Sequence, residues 1–246
     1  MGCRAILSLL ILAFAAGGVL AADAAERDIL GFSRDGRYFA FEQYGVQDGS
    51  GFPYSDIFVI DLETDSWLDG TPIRVRLDDE RQSLSSARRT ARDKARSHLQ
   101  SAAIEDNARV LASNSIYQQA ADPREFVFRT YYTTFGHLEA VDPGDEDVLS
   151  LALEEVVLPS PEGCPVGDTP MAGFVLKAKR GSEPFAEVHR DTSIPSSRVC
   201  PLKYSLSDAV AFSGADGRTQ RIVVLVNVFS FGFEGADRRF IAVPLK

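Results

Sequence analysis

Hydrophobic and polar positions alternate with a period of two along most of this chain, the signature of half-buried strands. The clearest stretch is Phe32 to Thr64, FSRDGRYFAFEQYGVQDGSGFPYSDIFVIDLET. Asp35-Gly36 is a turn signal. From Arg37 to Tyr44, Tyr38, Ala40 and Glu42 fall on one face and Phe39, Phe41 and Gln43 on the other. Asp56 to Leu62 is rich in β-branched and aromatic residues, as a return strand should be. The pattern predicts one long antiparallel hairpin, Arg37–Tyr44 against Asp56–Leu62, with the glycine-rich Gly45 to Ser55 as its exposed connection. Trp67 is expected to pack over this hairpin, and Thr71 to Leu77 alternates as a third strand.

The period then changes. No glycine or proline occurs from Asp79 to Ala103, and Leu84, Ala87, Ala91, Ala95, Leu99 and Ala102 recur at steps of three and four. That predicts a long alanine-striped helix, capped by Asp78 or Asp79, whose other face carries Arg88, Arg89, Arg92, Lys94 and Arg96 as a solvated basic surface. A second helical piece is expected over Ile104 to Ala121. Period two returns after Pro123. Strands are expected at Glu125–Thr133, Leu149–Leu158, Gly173–Lys179, Arg221–Phe231 and Arg238–Leu245, with Gly181 to Pro201 irregular. The opening of the first hairpin has a weaker echo at Phe212 to Arg218, FSGADGR. Together these elements predict a β-rich α+β fold, with antiparallel hairpins in a twisted sheet or sandwich and one long alanine-rich helix.

The ends add a location. Arg4, the apolar run Ile6 to Ala16 and the small residues of Val19-Leu20-Ala21 form a secretion signal, cleaved before Ala22 or alternatively after Ala24. Residues 1–21 are therefore expected to leave and 22–246 to form a single secreted domain. No other apolar run approaches the roughly 20 residues of a transmembrane helix. The net charge of −9 becomes one unit more negative when Arg4 is lost. An acidic chain is a poor nucleic-acid ligand. Cys164 and Cys200, the two cysteines left after processing, read as one disulfide in an exported chain.

Motifs with chemistry are scarce. The chain contains no G-x-S-x-G, no H-E-x-x-H, no phosphate-cradling glycine loop and no C-x-x-C, so neither a catalytic residue nor a cofactor is assigned. His98, His137 and His189 stand apart from any nucleophile motif. Asp142, Asp145, Glu146 and Asp147 offer hard oxygens without the fixed offsets of a calcium loop and read as a solvated acidic loop. Tyr44, Phe52 and Tyr54 flank the long connection of the first hairpin and make a candidate binding surface. Tyr131, Tyr132 and Phe135 form a second aromatic group.

Residues Phe32 to Thr64 resemble the repeat of the WD40-like propellers of the bacterial periplasm, in which F-S-P-D-G-R-x-[ILV]-A-F leads to D-I-[FWY]-V-[MI]-D. Phe32, Ser33, Asp35, Gly36, Arg37, Ala40, Phe41, Asp56, Ile57, Val59 and Asp61 match, and Arg34 replaces the proline. A propeller needs at least four such units. One good copy and one poor one, separated by a helix, do not make a complete propeller. The chain as a whole resembles domain-of-unknown-function family 2259, a group of predicted secreted bacterial proteins. That resemblance rests on the segment Gly31 to Trp67, on the alanine-rich helix after it, and on the ending GFEGADRRFIAVPL. It implies export, in a Gram-negative bacterium to the periplasm, and transfers no activity and no catalytic residues. The expectation is a non-enzymatic binding or interaction module whose partner is an envelope protein or a glycan. The alternative is a periplasmic hydrolase with a site built from scattered polar residues.

Overall fold

The computed structural model describes residues 22–114, 122–130, 142, 144–165, 167, 169–214 and 219–245. The expected signal, His137 and the Tyr131, Tyr132 and Phe135 group lie outside them, as does the end of the Phe212–Arg218 echo. Among the described residues three antiparallel sheets are stacked, and one α-helix covers the outer face of the first. Sheet one is built from β1 (Glu26–Ser33), β2 (Tyr38–Val46), β3 (Pro53–Asp61), β4 (Ser66–Trp67) and β5 (Ile73–Arg76). After α1 (Leu84–Ser101), β6 (Ile104–Glu105) returns to its β1 edge. The chain continues through β7 (Ala108–Ser113), β8 (Glu125–Arg129), β9 (Val148–Leu158), β10 (Met171–Arg180) and β11 (Ala186–Arg190). It ends with β12 (Pro201–Ser213), β13 (Thr219–Phe231) and β14 (Ala236–Leu245). Sheet two has the order β11-β10-β9-β8 and sheet three β14-β13-β12-β7.

Sheet three is the middle layer. Val223 and Leu225 of β13 join Phe32, Phe39, Phe41 and Phe58 of sheet one in one core. Ile222, Val224 and Val226, on the other face of the same strand, join Leu151, Phe174 and Leu176 of sheet two in a second. A strand buried on both faces needs apolar side chains at every position. That is why Arg221 to Phe231 reads as a continuous run and not as an alternation.

The expected hairpin is present, with Tyr38 opposite Asp61 and Tyr44 opposite Ser55. Its register runs on to Val46 opposite Pro53, so the connection is shorter than Gly45 to Ser55. Thr71–Leu77 does supply a strand, β5, on the edge of β3. The FSRDGR segment is the turn between β1 and β2, and β1 is a strand that the alternation does not announce. Asp35 Oδ1 accepts from Ser33 Oγ at 2.6 Å and from the Arg37 N–H at 3.1 Å, while Ser33 Oγ accepts from the Tyr38 N–H at 2.8 Å. Gly36 takes φ +71° in this turn with Phe212 directly against it; a Cβ there would sit 2.5 Å from the ring. The two FS segments thus touch, and the Phe32 and Phe212 rings lie 5.7 Å apart.

Two helical expectations change. The N-cap of α1 is Ser83, whose Oγ accepts from the Ser86 N–H at 3.2 Å. Asp79 is occupied with the Arg81 N–H in the preceding turn. Ile104 to Ser113 is not helix: α1 ends at Ala102–Ala103, where Ala103 takes φ +49°, and the chain then pairs with β1 and β12. Residues 115–121 lie outside the description. The stripe itself holds, with Ala87, Ala91 and Ala95 fully buried on sheet one. The basic face does not stay wholly in solvent. Arg88 and Arg92 turn onto the sheet and grip Glu42, a carboxylate with 0% exposure that also accepts from Ser55 Oγ at 2.8 Å.

Candidate functional site

The three sheets meet at a cleft of about 360 Å³, which adjoins a second recess of about 210 Å³. Phe58 and Trp67 of sheet one, Phe240 and Ile241 of sheet three, and Ser197 and Arg198 of the loop before β12 line both. His189 of sheet two closes the larger one. Clefts of this size, mostly apolar with a few convergent polar groups, are where small ligands bind.

Each wall has a local cause. Trp67 sits on the two-residue strand β4, opposite Ile60, too short to be covered from both sides. Its ring rests edge-on against Phe58 at 6.1 Å and stays 44% exposed. The Arg74 guanidinium of β5 lies 5.5 Å from the same ring. Thr71 fixes the turn between them, its hydroxyl donating to the Leu68 carbonyl at 2.7 Å.

The polar wall centres on Asp191. Its Oδ2 accepts from Arg198 at 2.5 Å and from the Phe174 N–H at 3.0 Å, and its Oδ1 is 2.9 Å from His189 Nε2. Burial alone would raise the Asp191 carboxyl, but His189, Arg198 and the Phe174 amide together hold it below the usual carboxylate range. The His189 ring stacks on Phe174 at 4.7 Å, and Arg198 spans Phe174 and Tyr204. Among the described residues no hydroxyl or thiol is hydrogen-bonded to His189, so the imidazole is oriented by a carboxylate without a nucleophile to activate.

Two residues beyond Arg198, Cys200 is disulfide-bonded to Cys164, with 5.8 Å between the Cα atoms. Between them Val199 takes φ +56°, a region that a β-branched residue rarely enters. The covalent tie and the strained residue together fix the loop that presents Arg198.

The aromatics flanking the first connection do not form one platform. Paired residues share a face and neighbours along a strand do not. Tyr44, opposite Ser55, therefore faces the helix, where Arg88 lies 3.7 Å from its ring centre. Tyr54 faces sheet three and is 5% exposed. Its hydroxyl donates to Asp23 Oδ1 at 2.8 Å, and burial pushes that hydroxyl well above the ordinary tyrosine range. Phe52 alone stays in the loop, near Arg76. Trp67 is the exposed ring of the cleft, and its sequence signal was available: it is the single tryptophan of the chain, just after a turn and near an arginine-bearing strand.

In the acidic loop, Asp142 Oδ1 accepts from the Gly144 N–H at 2.9 Å and Asp145 pairs with Arg129 at 2.9 Å. Among the described residues no three His, Cys, Asp or Glu side chains converge as a metal site, and no helix is long and apolar enough to cross a membrane.

The family model described as "Predicted secreted protein (DUF2259)" matches residues 40–246. The chain belongs to this family. The matched range of this DUF2259 member takes in every wall of the cleft, from Phe41 to Val243, and leaves β1 outside. No curated protein matches the chain.

Proposed function

We propose that this secreted protein is exported to the Gram-negative periplasm, loses residues 1–21, and works there as a single-domain, non-enzymatic binding module. Its ligand seats in the cleft on Trp67. The observation that carries this reading is a half-exposed tryptophan at the mouth of an aromatic cleft to which all three sheets contribute. An exposed large aromatic beside fixed polar groups is a recognition surface. The bonded Cys164–Cys200 pair suits an oxidising compartment. The acidic net charge argues against a nucleic-acid partner. Of the two partner classes, a glycan fits a concave aromatic cleft better than a protein surface does.

The hydrolase reading draws on one observation, the Asp191–His189 contact. It is the weaker reading. Asp191 already neutralises Arg198, and among the described residues His189 has no hydroxyl partner to deprotonate. The test is retention of the secreted chain on immobilised envelope glycans, wild type against Trp67→Ala. Retention lost in the variant supports binding at the cleft. Turnover of the retained glycan that disappears in His189→Ala would overturn the non-enzymatic reading.

A further inference from the structure

Resting on that binding reading, we infer that the cleft selects a ring bearing a carboxylate, as in a uronic-acid sugar, with the ring on Trp67 and the carboxylate on Arg74. The inference starts from the ion pairs around the cleft. Arg198 is held by Asp191 and Arg239 by Asp23, each at 2.5 Å. Arg74 is exposed, and no carboxylate lies within 4.0 Å of it among the described residues, although acidic residues outnumber basic ones in this chain. Its guanidinium lies 5.5 Å from the centre of the Trp67 ring. A guanidinium stacked on an indole still presents N–H donors along its edge, and that planar fork matches a carboxylate.

The neighbouring acid is bonded elsewhere. Asp56 stands opposite Arg74 in the β3–β5 register and is bonded to Gln43 at 3.0 Å. Burial raises its carboxyl above the ordinary range while Gln43, Arg74 and Arg239 act against that rise, so Asp56 is a charge neighbour of Arg74 but is not in an ion pair with it. The smaller recess is lined by Arg74, Arg198, Arg239 and Asp56; Arg198 and Arg239 are already paired, which leaves Arg74 as the guanidinium there with no ion pair among the described residues. An exposed guanidinium without an ion pair has N–H donors to offer an anion from solution. In the larger cleft Asp65 and Ser66, together with Ser197, which lines both, offer partners for hydroxyl groups. A sugar ring has both requirements, an apolar face to stack and hydroxyls to bond. An aromatic carboxylate has only the first.

Trp67 is the only tryptophan, so its emission reports this cleft alone. The secreted form of the chain is titrated with a glucuronate-containing disaccharide, with its neutral glucose counterpart and with phenylacetate, and isothermal calorimetry repeats each titration. The expected result is a change in Trp67 emission with the acidic sugar and an affinity at least tenfold above the neutral one, a preference that shrinks as salt rises. Arg74→Gln, at an exposed position that leaves the thermal midpoint in place, should reduce the preference to less than threefold. Phenylacetate binding as tight as the acidic sugar would reassign the ring to an aromatic acid and overturn the sugar. Equal affinity for both sugars, unchanged in Arg74→Gln, would overturn the carboxylate inference and leave the binding reading standing. Silence with every probe would overturn both.

Discussion

Glu42 holds α1 to sheet one, and neutralising it should loosen that helix. The helix offers the sheet mainly alanines at its centre, Ala87, Ala91 and Ala95. Alanine allows close approach but removes little apolar area from water, so the charge cluster carries an unusual share of the docking. Glu42 accepts from Arg88 Nε and Nη2, both at 2.9 Å, and from Arg92 Nε and Nη2 at 3.0 and 2.7 Å. In Glu42→Gln the amide nitrogen must face guanidinium donors, leaving buried groups mismatched. Removing one side of a buried pair costs about 3–5 kcal/mol. Arg88 and Arg92 are 27% and 46% exposed, so solvent screening favours the lower end, about 3 kcal/mol. For a chain of this size that is a fall of about 6–12 °C in thermal midpoint, with an unchanged urea m-value. The assay is urea and thermal unfolding followed by far-ultraviolet circular dichroism. The pH dependence supplies a second test. Burial would raise the Glu42 carboxyl, but Arg88, Arg92 and Ser55 bring it below its ordinary value. A depressed carboxylate contributes fully above the unfolded pKa of about 4.3, and its contribution is lost as the pH falls through the folded value. The gap between wild type and Glu42→Gln should therefore narrow below about pH 4. A cost under about 1 kcal/mol, or a gap unchanged in acid, would show that the alanine stripe alone holds the helix.

Three further outcomes are expected. Cys200→Ser should lower stability by about 4 kcal/mol on the chain-entropy model for a 36-residue separation, read by denaturation with and without reductant; equal curves would refute it. The intact mass of the secreted chain should place its first residue at Ala22, because Asp23 is buried between Tyr54 and Arg239; a start at Ala25 would contradict that role. Gly31→Ala should cost about 3 kcal/mol or more, since Gly31 takes φ +116° and a Cβ would fall 1.8 Å from the Glu105 carbonyl oxygen of β6; a thermal midpoint like that of wild type would refute it.

Local periodicity exposed the hairpin, β5, the helix stripe and most later strands, because each leaves one face in contact with a single neighbour. It failed where the pattern is set by distant partners. β12 (Pro201–Ser213) carries Ser205, Ser207 and Asp208 in its buried stretch, and these look like loop residues until Asn227 and Arg27 arrive to bond them. Ile104 to Ser113 has helical composition but is claimed by two sheet edges. The cleft was the least legible part. Trp67, Arg74, His189 and Arg198 come from separate segments, and only the stacking of three sheets brings them together. The disulfide was visible as a pairing, but its position beside Arg198 was not.

The middle position of sheet three also sets an order of assembly. The inner face of sheet one is roofed by β12, β13 and β14, which are made long after it, and the first residues after Ala22 are tied to Arg238 and Arg239, more than 200 positions on. Sheet one cannot bury its aromatic face until β12 to β14 have arrived. A secreted chain wired this way stays loose while it is being threaded and closes all at once on release, so truncations short of residue 220 should leave no folded N-terminal half behind.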